Sequence, residues 1–395
     1  MSKRKQRKEE KERVNKISDL EFMYLAYGKK AFIVPIVIAI ILGAVIWGIV
    51  YNTRKNNAPQ ETADNEKEQI NYIWGEIKPG KKNANNYTMV TSADGIQVPV
   101  PTGYTASSAS DENSVNGGFV IYEGTETVTD SNKWEAQCNR NQYVWIPIAE
   151  VSDMYWRDQT TGKKYGTTYT FSSSSYSKSS NNKREPQTTS IDIQSTYLTK
   201  YLNGMSREDF LMEMEIDFDK MLNSVATYGG FYIGRYETGD LSQATPVVKR
   251  INTDIEGQTW YTMWKKARKL SGTSAGVQMI WGIQWDEALK WLIDTGEKTY
   301  AEVGSDSTSW GNYYNNSFTY YTNTSKSTAT KTSNDQIKIP SGAYEGANAN
   351  NIYDLAGNIF EWSLEVKNPE DGNSRYCRGG RYSVRPRIQK SSSAP

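Results

Sequence analysis

Ala31 to Tyr51 contains no charged residue, and no other feature limits so sharply what the chain can build. A helix rises 1.5 Å per residue, so about 21 residues reach roughly 30 Å, the depth of one bilayer core. Pro35 sits in the first turns of that run, where a missing N–H costs least. Residues 1–30 open on Met1-Ser2-Lys3-Arg4-Lys5. Basic residues before the run outnumber those just after it, which places a basic N-terminal tail in the cytoplasm. No small-x-small cleavage site and no closing Cys follow, so residues 31–51 read as an uncleaved signal anchor. The expectation is a single-pass protein of the cell membrane whose C-terminal part is extracellular.

Residues 52–94 are polar and read as a linker, with Tyr72-Ile73-Trp74 as a short docking segment. Net charge is +1, which gives no electrostatic case for a nucleic-acid partner. The chain has 27 Tyr and 12 Trp but no His. That removes Ser-His and Cys-His nucleophile pairs and every His-ligated metal. Its two cysteines, Cys138 and Cys377, form no C-x-x-C. Outside the cell they are a candidate disulfide closing a long loop; two buried thiols are the alternative.

From Gly95 the texture is β, with short strands at 96–101, 118–123 and 143–148. Residues 159–190 are a low-complexity Ser/Thr/Tyr/Asn/Lys stretch and read as a mobile insertion. A helix follows over 205–225, capped by Ser206, with Phe210, Met214, Phe218, Met221 and Val225 on one stripe. Gly229-Gly230 ends it before a strand at 231–236. Helices are expected at 259–270 and 285–293. Residues 304–335 are a polar loop bearing aromatics, among them Trp310 and Tyr313, a composition typical of binding loops; aromatics tucked back onto the domain are the alternative.

The last organised stretch is Asn351-Ile352-Tyr353-Asp354-Leu355-Ala356-Gly357-Asn358-Ile359-Phe360-Glu361-Trp362. Gly357-Asn358 is a turn dipeptide, because both residues tolerate positive φ. Asp354 and Glu361 are carboxylates among aromatic positions, and burying them requires a partner. A hard cation held by oxygens is one solution, and turn N–H groups are the other.

This stretch, followed by Arg378-Gly379-Gly380, resembles the end of the formylglycine-generating-enzyme (sulfatase-modifying factor) domain, a variant of the C-type lectin fold. Gly230–Glu237 resembles that family's F-x-I-x-x-Y-E strand, and Ile283–Leu292 its W-x-x-A helix. The resemblance implies an α+β, C-type lectin-like domain over 95–388, with residues 389–395 as a disordered tail. It implies a structural calcium held by the Asp354 side chain, the Gly357 and Ile359 carbonyls and the Glu361 side chain. The family's oxidases activate copper with a cysteine pair after the two glycines, and a related branch binds iron through histidines. Neither set is present here, so no copper or iron is expected. The same fold variant serves as the displayed module of retroelement-diversified surface proteins, with a variable face after the glycine pair. By position that face would hold Tyr376, Arg378, Arg381, Tyr382 and Arg385, joined by Trp310 and Tyr313. The expected function is therefore a membrane-anchored module recognising an extracellular glycan or protein. The alternative is a divergent oxidase of the same family. Family domains close their sheet with a G-F-R-like strand after the glycine pair; none follows Gly380, which predicts an unpaired sheet edge.

Overall fold

Alternation of apolar side chains builds the central sheet. Strands β3 (Tyr104–Ala106), β4 (Val120–Glu123), β5 (Gln142–Pro147) and β10 (Gly230–Gly234) pair antiparallel in the order β10-β5-β4-β3. Successive side chains point to opposite faces. Val120, Tyr122, Val144, Ile146, Phe231 and Ile233 enter one cluster, together with the helices. Phe119, Ile121, Tyr143 and Trp145 enter a second, with Val98, Val100, Tyr236 and Tyr353. Each fully buried Val, Ile or Phe contributes about 1.5–3 kcal/mol, so both faces of the sheet are strongly specified.

The computed structural model describes residues 74–80, 82, 86–188, 195–270, 276–366, 375–383 and 392–394. By its contacts the chain divides into Met1–Glu68 and Gln69–Pro395, and every described residue belongs to the second unit. The basic tail and the anchor at 31–51 lie outside the described residues. Among those residues no helix is long and apolar enough to cross a membrane. The described part is mixed α and β with small sheets, of α+β character.

Two helices cover the first face. One runs from Arg207 to Tyr228; Ser206 accepts from Asp209 N at its start, and Gly229, at φ 81°, ends it. Its stripe of Phe210, Met214, Phe218, Met221 and Val225 is buried, as the spacing requires. The other runs from Gly282 to Asp294 and buries Trp285, Leu289 and Leu292. A shorter helix, Trp260–Ala267, turns Trp260 and Trp264 inward. The bend is flanked by two small sheets. Strands Asn348–Ala349 and Ile352–Tyr353 pair with each other, and Glu361–Val366 (β15 in chain order) pairs with Arg375–Arg378 (β16).

The structure corrects three sequence boundaries. Folding begins before Gly95: Trp74 is buried in the core, and β1 (Tyr87–Thr91) pairs with β2 (Gln97–Pro101). Residues 159–190 are not a loose insertion. They form β7 (Lys164–Gly166), β8 (Thr168–Phe171) and β9 (Tyr176–Ser179), and they bury Tyr165, Tyr169, Phe171, Arg184 and Glu185. Sparse aromatics supply the apolar contacts, Arg184 pairs with Asp286 and Glu365, and Glu185 accepts from Gly282 N and Ile283 N. Within the presumed tail, Ser392–Ala394 (β17) pairs with β16.

Candidate functional site

The bend at 354–361 is built from left-handed backbone. Asp354, Gly357 and Asn358 have φ of 59°, 81° and 58°, a region open to Gly and tolerated by Asn and Asp. Gly357 N donates to Gly379 O at 2.9 Å, and Asn358 N donates to Asn312 O at 3.0 Å. A Cβ on Gly357 would strike the Asn312 backbone. The two segments therefore approach as closely as only glycine permits.

Three carboxyl groups meet at this bend. Asp354 is fully buried; its Oδ2 accepts from Gly342 N at 2.6 Å and Ser341 Oγ at 3.2 Å, while Oδ1 has no donor among the described residues. Glu361 is half-buried, but its Oε2 atom is covered and lacks a donor among the described residues. The third is Glu237, three residues beyond β10. It accepts from Asn358 Nδ2 at 2.6 Å and Ile359 N at 2.9 Å. Burial, aggravated by the Glu237 and Asp354 charges, pushes the Glu361 carboxyl far above its ordinary range. Burial and then Asp354 do the same to Glu237. Burial raises Asp354 to about 6, against the opposing bonds from Gly342 and Ser341. The nearest cations are committed elsewhere: Arg250 to Glu345, and Lys338 to Glu256 at 2.9 Å.

Buried acceptors without donors and mutually repelling acids are what a hard cation relieves. Among the described residues no three acidic or thiol side chains are gathered tightly enough to cage a metal alone. A cation here would need backbone carbonyls as well, and the bend carries those of Gly357 and Ile359. An oxygen-only donor set is of the kind a hard cation takes.

The sequence reading missed Glu237. Locally it reads as the end of a strand with a base, Arg235, two residues away, and only the fold commits that arginine to Glu112 at 2.7 Å instead.

Beside the carboxyl cluster opens a cavity of about 1020 Å³, whose walls include Tyr87, Trp145, Tyr232, Met279, Phe360 and Arg381. Glu237, Glu361 and Cys377 also border it. Burial, reinforced by the Glu361 charge, pushes the Cys377 thiol up to about 12. At neutral pH, with no metal bound, such a sulfur stays protonated and is a poor nucleophile.

The residues expected on a ligand face separate into three groups. Trp310 and Tyr313 are only 2% and 0% exposed, so they are not binding-loop aromatics. The Tyr313 hydroxyl donates to Gly379 O at 3.1 Å and also bonds Ser307 Oγ, so it braces the glycine pair from inside. Arg378 is likewise buried. Its Nε and Nη2 hold Glu365 at 2.7 Å each, within a network that adds Arg184 and Asp286. Only Tyr376, Arg381 and Tyr382 remain half-exposed, and Arg381 alone of the three lines the cavity. Arg385 lies outside the described residues.

The two cysteines are not bridged. Cys138 sits on the helix Lys133–Asn139, near Arg250 and Lys326. Cys377 sits on β16 opposite Trp362, beside Glu361. Separate neighbourhoods hold the two thiols, and burial raises both above the usual thiol range.

No family model matches the chain. No curated protein and no solved structure matches it either.

Proposed function

We propose that this protein is a membrane-anchored recognition module: a C-type lectin-like domain of the sulfatase-modifying factor type, displayed outside the cell and without redox chemistry. One observation carries the reading. A cavity of about 1020 Å³ with aromatic walls is bordered by a single cysteine whose thiol is held protonated, and the chain contains no histidine. Such a cleft has the size and apolar character of a ligand site but lacks the groups that would activate copper, iron or a nucleophile. The partner is an extracellular glycan or protein, and nucleic acid is not among the candidates. Supporting the anchored topology is the uncharged run at 31–51 behind a basic tail.

Calcium belongs to this proposal as a structural ion. Asp354 and Glu361 would hold it through the oxygens that lack donors, with the Gly357 and Ile359 carbonyls completing the set. Glu237 would keep Ile359 in place through its bond to the amide nitrogen. Bound there, the ion would neutralise buried negative charge and tie the bend to its surroundings.

Metal analysis of the purified full chain, together with glycan- and protein-array binding, tests the reading. Calcium alone and a ligand competed by occupants of the cleft are expected. Stoichiometric copper or iron would instead favour the divergent oxidase.

A further inference from the structure

The cavity runs along a strand edge that no other described strand pairs with. Among the described residues β10 pairs only with β5, in the register Phe231↔Ile146 and Ile233↔Val144. Ile148 N donates to Gly229 O at 2.9 Å and Arg235 N donates to Gln142 O at 3.1 Å. Hydrogen-bonded residues alternate along an antiparallel pair, so Gly229, Phe231, Ile233 and Arg235 face β5. Gly230, Tyr232 and Gly234 therefore turn their N–H and C=O groups the other way. No described group bonds to them, and all five β10 residues line the cavity.

Natural edge strands are blunted by Lys, Pro or a bulge. Gly-Phe-Tyr-Ile-Gly has none of these, whereas β2 carries Pro99 and Pro101. Donors and acceptors repeating every second residue are matched by another extended polypeptide backbone; a sugar does not repeat at that spacing. The cavity's walls also include the apolar Val248, Met263, Val277 and Met279. Arg381 lines the same cavity; among the described residues it bonds only to the Tyr382 hydroxyl and has no carboxylate partner.

We propose that β10 accepts a β-strand from a partner protein. The strand is extended, alternates apolar residues along the cleft, and carries an acidic residue or its C-terminal carboxylate at Arg381. This rests on the recognition reading and names its ligand class.

The test screens a displayed library of linear peptides against the detergent-solubilised full chain, alongside a glycan array. Peptides with alternating apolar residues and an acidic end are expected. Replacing backbone N–H groups of a selected peptide by N-methyl groups should weaken binding about tenfold or more in one alternating frame and little in the other. This readout needs no change to the protein. Tyr232→Pro removes an outward N–H together with the ring packed on Trp145 and the hydroxyl bonded to Pro99 O, and should weaken binding clearly more than Tyr232→Ala, which loses the same side chain but keeps the N–H. Arg381→Met should erase the acidic preference. Equal tolerance of N-methylation in both frames overturns the strand assignment. Glycan binding without peptide binding overturns it too but leaves the recognition reading standing, and binding of neither class overturns both. Concentration-dependent dimerisation lost in Tyr232→Pro would make the occupant a second copy and overturn the partner-protein assignment.

Discussion

Arg378 grips Glu365 with two prongs, Nε to Oε1 and Nη2 to Oε2, each at 2.7 Å and both side chains buried. Burial by itself would raise the Glu365 carboxyl, but Arg378 and then Arg184 outweigh it and bring it down to about 2. The pair fastens β15 to β16 and, through Arg184, to the 159–190 region.

Breaking this pair should be costly, because one charge is left buried and unpaired. Arg378→Met is expected to destabilise by about 3–5 kcal/mol in denaturant titration. A folded-state pKa below the unfolded value means stability that is present above about pH 4.5 and fades as pH falls toward 2. Arg378→Met should lose this acid-sensitive component. An unchanged midpoint would mean that Arg378 faces a ligand after all.

Calcium should raise the melting temperature of the full chain, and excess chelator should reverse the rise. At a hundred times the dissociation constant the gain is about 2.7 kcal/mol. Asp354→Asn and Glu361→Gln each remove a candidate cation ligand and are expected to abolish the calcium response. Asp354, raised only to about 6, is ionised at neutral pH, so Asp354→Asn should also make the calcium-free protein more stable, by on the order of 1–3 kcal/mol, whereas Glu361→Gln, replacing a carboxyl held far above its ordinary range, should change it little. Calorimetry with and without calcium reads both signs.

The folded unit should tolerate removal of the chain before Gln69 but not before Gly95. Trp74 packs into the main cluster, and β1 supplies the whole partner of β2. Trp74→Ala is expected to cost about 3–5 kcal/mol. A chain beginning at Gly95 should show broadened, early thermal unfolding and rapid proteolysis.

Cys377 should be inert in the native protein. With its thiol near 12, almost no thiolate exists at pH 8, so iodoacetamide should label it only after unfolding. Intact mass should show two free thiols and no loss of two hydrogens. Fast native labelling of Cys377 would reopen the oxidase reading.

Much of the scaffold was readable residue by residue. The stripe from Phe210 to Val225 predicted a buried helical face, and Ser206 and Gly229 predicted its ends, because caps and periodicity are local. Gly357-Asn358 predicted a left-handed bend, and both residues have positive φ. The candidate site was half legible. Asp354 and Glu361 declared themselves as acids among aromatics, but nothing local marked Glu237 as their neighbour across more than a hundred residues.

The other readings failed for the same reason. Composition alone made 159–190 a loose insertion and left Trp310 and Tyr313 open between an exposed loop and the core. In the fold, Arg184 finds Asp286 at 2.6 Å, and the Tyr313 hydroxyl finds Gly379 O at 3.1 Å. By itself the sequence determined backbone conformation, side-chain periodicity and the absence of imidazole chemistry, since these depend on residue type and near neighbours. Tertiary structure alone decided which charges are paired, which aromatics are covered and which strand edge is left open. Those depend on desolvation and on partners brought together only by folding.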